Sequence, residues 1–198
     1  MKKERKSENF RKTAETEILC KVNIDGKGIN KIQTPIPFMN HMLEQISKHS
    51  FIDLDIKCTG DVEIDAHHTV EDLGWCIGEA VYDALSNKAG IIRFASLSLP
   101  MDETLTSCSL DVSGRPWLEW KVILPNEKIG GIDSEIFQEF FRAFAQSAKM
   151  TIHIENNYGH NAHHIIESCF KVLAVCLRNS LSVISRNKDI IPSTKGVI

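Results

Sequence analysis

The sequence predicts an α+β fold built by internal duplication, and three observations support this. The pattern Ala-His-His-x-x-Glu occurs twice, at residues 66–71 and 162–167. Each copy starts a segment whose apolar residues have helical spacing, and each follows a predicted helix and a predicted strand in the same order. Neither half is long enough to bury a stable core alone, so two copies of one unit should pack together about a pseudo-twofold axis.

The composition limits the class of protein. A chain of 198 residues suits one domain, or two small halves that share a core. A formal net charge of -3 gives no electrostatic reason to expect nucleic acid or an anionic membrane surface as a partner. The basic start is not followed by the apolar run of a signal peptide, and no segment has the length of a membrane span. Six scattered cysteines without Cys-x-x-Cys favour reduced, buried thiols, so we expect a cytoplasmic protein.

The first half of the chain contains a basic arm and the first repeat. Residues 1–12 are predicted to be mobile, and the first repeat is assigned to residues 13–92. Strands are predicted from alternating apolar residues, and helices from apolar residues at helical spacing. The predicted elements are strands at 16–24 and 51–58 and helices at 38–50 and 66–86.

The second half contains the second repeat, assigned to residues 93–188, and an extended tail at 189–198 that includes Pro and Gly. Ser134 is a candidate N-cap for the helix that follows it. The loop before the second histidine pair is two residues shorter than its counterpart in the first half. The predicted elements are strands at 96–112, 117–124 and 151–155 and helices at 134–149 and 162–186.

The histidine pairs point to metal binding. His67 and Glu71 are four residues apart on a predicted helix, so they share a face and can converge on one divalent cation. His68 is rotated by about 100° and cannot easily reach the same ion. Two adjacent histidines therefore indicate two metals, or one metal and a second site across an interface. Single histidines at helix starts are unremarkable, but chance does not explain two copies of this pattern.

The second copy, with the preceding helices, brings the candidate ligands to eight. The strand that precedes each histidine pair repeats at an offset of 98 residues, which aligns His41 with Glu139. Nitrogen and carboxylate ligands without thiolate favour Mn, Fe, Ni, Co or Zn, and the sequence does not choose among them. The eight candidates fill two sites of four protein ligands each: His41, His67, His68, Glu71, Glu139, His163, His164 and Glu167.

Other polar residues suit a small anionic substrate. Arginine, lysine and hydroxyl side chains are the donors that phosphate prefers, although any one of them alone is more often a surface group. Glu15, near the start of the first predicted strand, is a candidate general base. The candidate phosphate contacts are Arg93, Arg115, Lys171, Ser193, Thr194 and Lys195.

Three alternatives remain open from the residues alone. A dinuclear metallohydrolase would use the same ligands but would need a metal-bound hydroxide and would release phosphate. A ferritin-like storage bundle uses Glu-x-x-His, and the predicted strands at 51–58 and 117–124 argue against a pure bundle. An assembly held together by metal without catalysis would leave Glu15 and the cationic residues unexplained.

Several motifs together resemble one family, imidazoleglycerol-phosphate dehydratase of histidine biosynthesis, in its monofunctional form. The resemblance covers about residues 10–198, and the motifs occur in the order and with the spacing of the family. The motifs are RKTAETEI, FMNHMLEQISKH, DAHHTVEDLG, MDE, SGRP, FFRAFA, GHNAHHIIESCFK and PSTKG.

The resemblance implies a fold and an assembly. Each half should contribute a four-stranded sheet and two helices, with the helices packed between the sheets, as in the ribosomal S5 domain 2-like fold. The active site should hold two Mn²⁺ and lie between subunits of a homo-oligomer of 24 chains, whose assembly metal promotes. All eight candidate ligands match family positions, although Glu139 stands where many members have histidine. The tail should bind substrate, and the matched contact positions are Glu15, Gln45, His49, Arg93, Arg115, Lys171, Ser193 and Lys195.

The resemblance also implies a reaction. The enzyme should be a hydro-lyase (EC 4.2.1.19) that removes water from D-erythro-imidazole glycerol phosphate, a phosphorylated imidazole, and gives imidazole acetol phosphate. Metal on both ring nitrogens would hold the ring as imidazolate, which would expel hydroxide and leave a diazafulvene-like intermediate. A base would then remove the adjacent proton. We expect this base to be Glu15, with Glu71 or Glu167 as the alternative.

Overall fold

The computed structural model describes residues 4–198, and its order of elements repeats. Each half runs strand, strand, strand, helix, strand, helix, and the second half adds a short hairpin. The first half comprises β1 (Lys6–Lys12), β2 (Thr16–Asn23), β3 (Asn30–Gln33), α1 (Pro37–Ser50), β4 (Asp53–Gly60) and α2 (His67–Leu85). The second comprises β5 (Phe94–Met101), β6 (Thr104–Asp111), β7 (Trp117–Lys121), β8 (Lys128–Ile129), β9 (Ile132–Asp133), α3 (Ile136–Ser147), β10 (Thr151–Tyr158) and α4 (Ala162–Leu181).

The two halves have the same sheet topology. The first sheet has the order β1-β2-β4-β3, and the second has the order β5-β6-β10-β7. In each, the central pair is antiparallel, and the last strand runs parallel to its neighbour because a helix connects the two. The topology confirms the predicted duplication and the two four-stranded sheets.

The helices form the layer between the sheets. Helix α2 packs on β1 and β2, and α4 packs on β5 and β6. The helices also meet across the halves, α1 against α4 and α2 against α3. Fully buried aromatic rings fill this layer: Phe137, Phe140, Phe141, Phe144 and Phe170. The core is thus shared, as expected for halves too short to fold alone.

The prediction of a mobile arm is wrong for residues 6–12. These residues form β1, an edge strand that pairs with β2 along its whole length. The segment KSENFRK has no apolar alternation, because it contributes backbone hydrogen bonds rather than side chains to the core. Residues 1–3 of the predicted arm lie outside the described residues.

Several predicted boundaries also needed correction. The segment 96–112 is a hairpin of β5 and β6, with Asp102 at positive φ (50°) in the turn. Ser134 does not cap α3, whose N-cap residue Glu135 makes no side-chain capping bond. Helix α4 ends at Leu181 rather than 186, because Ser182 is extended and Val183 bridges to Ile91.

All six cysteines are free and buried, as predicted. No helix among residues 4–198 is long and apolar enough to cross a membrane.

Candidate metal centre and active site

Both histidine pairs lie in the first turn of a helix, and a side chain holds each turn in place. The Asn161 side chain accepts hydrogen bonds from the backbone N–H groups of His163 (2.9 Å) and His164 (3.3 Å). The Asp65 carboxylate accepts one from the N–H of His67 (2.7 Å). Each pair therefore projects from a helix end rather than into the core.

The α1–α4 cluster consists of His41, His163 and Glu167, and it joins the two halves of the chain. Glu167 Oε2 lies 3.2 Å from His41 Nε2 and 2.9 Å from His163 Nε2. The three ligand atoms lie within 4.8 Å of one another. Two imidazoles and a carboxylate at this spacing fit a divalent cation such as Mn²⁺ or Zn²⁺.

Electrostatics keep Glu167 charged. Its side chain is only 7% exposed, and burial alone would disfavour the carboxylate. However, Lys171 Nζ lies 2.6 Å from Oε1, and this contact and the hydrogen bond from His163 lower the pKa of Glu167 below its usual value. The cluster thus presents an anionic oxygen.

Two predicted substrate contacts lie beside this cluster on α1. Gln45 Nε2 is 3.5 Å from His41 Nδ1, and His49 Nε2 is 3.3 Å from Gln45 Oε1. Burial and the nearby Lys171 lower the pKa of His49, which favours its neutral form. Together with Lys171, they form a polar margin around the α1–α4 cluster.

The first histidine pair and Glu15 form a second, looser group. His67 Nε2 is 3.7 Å from Glu71 Oε2, and His68 Nδ1 is 3.8 Å from Glu15 Oε2. Glu15, His68 and Glu71 line one cavity of about 250 Å³. His68 Nδ1 donates a hydrogen bond to Asp61 Oδ2 (3.1 Å), and this bond raises the pKa of His68. The candidate base and these ligands therefore open to the same space.

The other two predicted ligands are held elsewhere. Both oxygens of Glu139 accept hydrogen bonds from Arg142, at 2.8 and 2.7 Å. His164 Nδ1 contacts Glu103 Oε2 at 2.7 Å rather than the α1–α4 cluster. Among residues 4–198, only His41, His163 and Glu167 of the eight predicted ligands converge as a group of three or more.

Two of the predicted phosphate contacts, Arg93 and Arg115, meet at Asp111. Arg93 makes two hydrogen bonds to this carboxylate, at 2.7 and 3.2 Å, and donates another to the carbonyl of Pro192 (2.8 Å). Arg115 Nη2 lies 3.6 Å from the same carboxylate, and its side chain is 69% exposed. Ser193 is half-buried, while Thr194 and Lys195 are exposed. Arg93 therefore anchors the tail beside Arg115.

Sequence reasoning missed three acidic residues that orient these groups: Asp61, Glu103 and Asp111. The signal for Glu103 was present, since Glu-Thr begins the second strand of the hairpin in both halves, at residues 15–16 and 103–104. No comparable sequence signal marks Asp61 or Asp111, whose roles depend on contacts with His68 and Arg93.

The fold and the α1–α4 cluster define the class: a duplicated α+β protein with a candidate divalent-metal centre between its halves. Residues 34–177 match the model of the imidazoleglycerol-phosphate dehydratase family. The chain belongs to this family of hydro-lyases.

The relatives cover almost the whole chain. Imidazoleglycerol-phosphate dehydratase of Agrobacterium fabrum is 51% identical over 195 residues, which cover 98% of each chain. That of Sinorhizobium fredii is 50% identical over 188 residues, which cover 95% of this chain and 93% of the relative.

Two crystal structures share the fold. That of imidazoleglycerol-phosphate dehydratase from Staphylococcus aureus matches with a TM-score of 0.82 and 34% identity, covering 90% of this chain and 99% of the other. The Pyrococcus furiosus structure, in complex with (S)-C348, matches with a TM-score of 0.82 and 31% identity, covering 96% and 99%.

Proposed function

We propose that this chain is an imidazoleglycerol-phosphate dehydratase of histidine biosynthesis, which converts D-erythro-imidazole glycerol phosphate and releases imidazole acetol phosphate and water. The observation that carries the proposal is the α1–α4 cluster. It places two imidazoles and a carboxylate from both halves within 4.8 Å. This donor set suits a metal that accepts a ring nitrogen of the substrate in an open coordination position.

We further propose two Mn²⁺ per active site. Bound there, Mn²⁺ would supply Lewis acidity toward the ring nitrogens. His41, His163 and Glu167 would hold one ion, and their 4.8 Å spacing supports this. The remaining candidates would hold the other with groups from a neighbouring copy: His67, His68, Glu71, Glu139 and His164.

Glu15 is the proposed base. Once the ring has lost its N–H proton, the hydroxyl beside it would leave as hydroxide and give a diazafulvene-like species. Glu15 would then take the proton from the adjacent carbon, and the ring would regain a proton. The resulting enol becomes the ketone. Two observations support this role: Glu15 opens to the cavity that also contains His68 and Glu71, and its side chain is 49% exposed. A carboxylate so placed can reach a substrate proton.

The phosphate would lie between Arg115 and the tail. Arg115 is exposed and can form a bidentate contact with phosphate. Ser193 and Lys195 follow Pro192, whose carbonyl accepts a hydrogen bond from Arg93. Arg93 is already bound to Asp111 and to the tail carbonyl, so its part is to hold the tail in place. Lys171, bound to Glu167, lies on the metal side of the site.

We also propose a homo-oligomer of 24 chains with active sites between subunits. Five of the eight candidate ligands lie outside the one cluster found among residues 4–198. A second copy would supply the ligands that complete both sites, which makes oligomerisation part of the chemistry.

An activity assay tests the proposal. The protein is incubated with Mn²⁺ and imidazole glycerol phosphate, and the product is followed by its enol or ketone absorbance while free phosphate is measured separately. We expect product without phosphate release. His163→Gln should lower turnover by more than the roughly 10–100-fold expected for a group behind a ligand, because it removes a ligand itself. His153→Gln, at an exposed residue on β10, should keep normal turnover.

Phosphate release in place of the ketone would identify a metallohydrolase and reject the proposal. Equal loss of activity in both histidine variants would reject the α1–α4 cluster as the reacting site.

A further inference from the structure

Both carboxylate oxygens of Glu103 are engaged, one by His164 and the other by the loop before α4 and by the Thr104 hydroxyl. Its Oε2 lies 2.7 Å from His164 Nδ1. Its Oε1 accepts hydrogen bonds from the backbone N–H groups of His160 (3.3 Å) and Asn161 (2.9 Å). One oxygen therefore orients an imidazole, and the other fixes the loop that leads into α4.

The first half has a similar arrangement with a different acid. His68 Nδ1 lies 3.1 Å from Asp61 Oδ2, in the connection between β4 and α2. In both histidine pairs the second member thus directs Nδ1 to a carboxylate. A carboxylate only accepts hydrogen bonds, so each ring carries a proton on Nδ1, and in the neutral ring Nε2 then has the lone pair.

The use of Asp61 in the first half, where the second half uses Glu103, has a consequence for Glu15. Glu15 and Glu103 occupy the same place, directly before the second strand of each hairpin. Glu103 bonds its histidine at 2.7 Å, but Glu15 stays 3.8 Å from His68, whose Nδ1 is taken by Asp61. Equivalent glutamates therefore have different surroundings in the two halves.

We propose that Glu103 is a positioning residue that fixes the tautomer of His164 and so presents Nε2 to a metal ion. Asp61 does the same for His68, and this leaves Glu15 available to the substrate. The inference rests on the proposed metal-dependent function. Carboxylates behind metal-binding histidines set ring orientation and typically contribute about 10–100-fold in metal affinity.

Glu103→Gln is the sharpest test because the two carboxylate oxygens have different partners, and the amide can keep one set of hydrogen bonds while it changes the other. The amide oxygen can keep the two backbone N–H bonds, so the loop before α4 is retained. The amide nitrogen then faces His164 Nδ1 and donates to it, which forces the ring proton onto Nε2. The variant should fold normally, but a protonated Nε2 of His164 cannot bind a metal ion.

Mn²⁺ is titrated into the metal-free protein, and the electron paramagnetic resonance signal of the free Mn²⁺ measures how much is bound. One class of sites should weaken by about 10–100-fold in Glu103→Gln. Excess Mn²⁺ should restore turnover, which a purely structural defect would not allow. Glu155→Gln is the matched control, an exposed glutamate on β10 of the same sheet, and should bind as the unmodified protein does.

Wild-type Mn²⁺ affinity in Glu103→Gln would overturn the inference while leaving the proposed function intact. Absence of Mn²⁺ binding by the unmodified protein would instead reject the proposed function. A second measurement uses the unmodified protein and needs no Glu103 variant. The ¹⁵N resonances of the histidine ring nitrogens are recorded in the metal-free protein at alkaline pH, where they report which nitrogen carries the proton. His164 is assigned by comparison with His164→Asn. We expect His164 protonated on Nδ1, and a proton on Nε2 would overturn the inference.

Discussion

At the scale of single residues, the divergence of adjacent histidines organises the site. The rings of His163 and His164 are inclined by 86°, and those of His67 and His68 by 77°. The first ring of each pair turns toward the glutamate four residues later, and the second turns toward an acid outside the helix. Each pair can therefore serve two ions.

Replacing Glu15 tests the proposed base. Glu15→Gln keeps the size of the side chain but removes its basic oxygen, so turnover should fall by about 10²–10⁴-fold. Mn²⁺ binding and KM should change little, because the Glu15 carboxylate lies 3.8 Å from His68, beyond hydrogen-bond distance. Steady-state kinetics at saturating Mn²⁺ provide the measurement.

The control for this prediction is Glu17→Gln, two residues along the chain, which alters an exposed carboxylate paired with Lys12. Glu17→Gln should leave turnover close to that of the unmodified protein. Near-normal turnover of Glu15→Gln would remove Glu15 from the mechanism and direct attention to Glu71 or Glu167.

The sequence predicted those parts of the site that depend on helical geometry. The spacing of four residues placed His163 beside Glu167 at 2.9 Å. The repeat offset selected His41 as a further candidate ligand, and the structure places it 3.2 Å from Glu167. The same offset selected Glu139, but Arg142 one turn later takes both of its oxygens. Such competition depends on side-chain packing and cannot be read from a periodic pattern.

At the scale of elements, the packing of α2 on α3 depends on glycine. A Cβ atom built on Gly74 would lie 2.4 Å from the carbonyl oxygen of Phe140. One on Gly78 would lie 2.7 Å from that of Phe144. The two helices therefore approach each other backbone to backbone where the two halves of the chain meet.

Gly74→Ala should destabilise the protein even though alanine favours helix by about 1 kcal/mol. The neighbouring atom belongs to the backbone, so α3 would have to move away from α2, and overpacking of this kind costs about 1–3 kcal/mol. Urea unfolding at fixed protein concentration measures the change.

Asp83→Ala, at an exposed site on the same helix, is the control and should change stability by less than about 0.5 kcal/mol. Equal or greater stability of Gly74→Ala would show that α2 and α3 separate easily.

Helices and strands whose apolar residues recur at a regular spacing could be predicted from the sequence. Strands that are recognised only by their hydrogen bonds to a neighbouring strand could not. The apolar stripes of α1 and α2 predicted those helices to within one residue at each end. Strand β1 has the burial pattern of an edge strand, and only its pairing with β2 identifies it. The β8–β9 hairpin consists of two strands of two residues each, too short for any period to be visible.

At the scale of the whole molecule, the duplication produces two unequal groups of candidate metal ligands. The α1–α4 cluster is assembled, with Glu167 in contact with two histidines. In the α2–α3 counterpart, His67 and Glu71 are 3.7 Å apart and Glu139 is bound to Arg142. The resemblance could predict which residues belong together, but a single chain does not bring all of them into contact.

Metal removal therefore should act on the assembly as well as on activity. If ions join ligands from different copies, a chelator removes these links between the copies. Size-exclusion chromatography with light scattering should show a shift from the large oligomer to smaller species, and added Mn²⁺ should reverse it. Chelator already saturated with Mn²⁺ is the control for nonspecific effects. A chelated protein that stayed fully assembled and active would contradict both the shared sites and the dependence on metal.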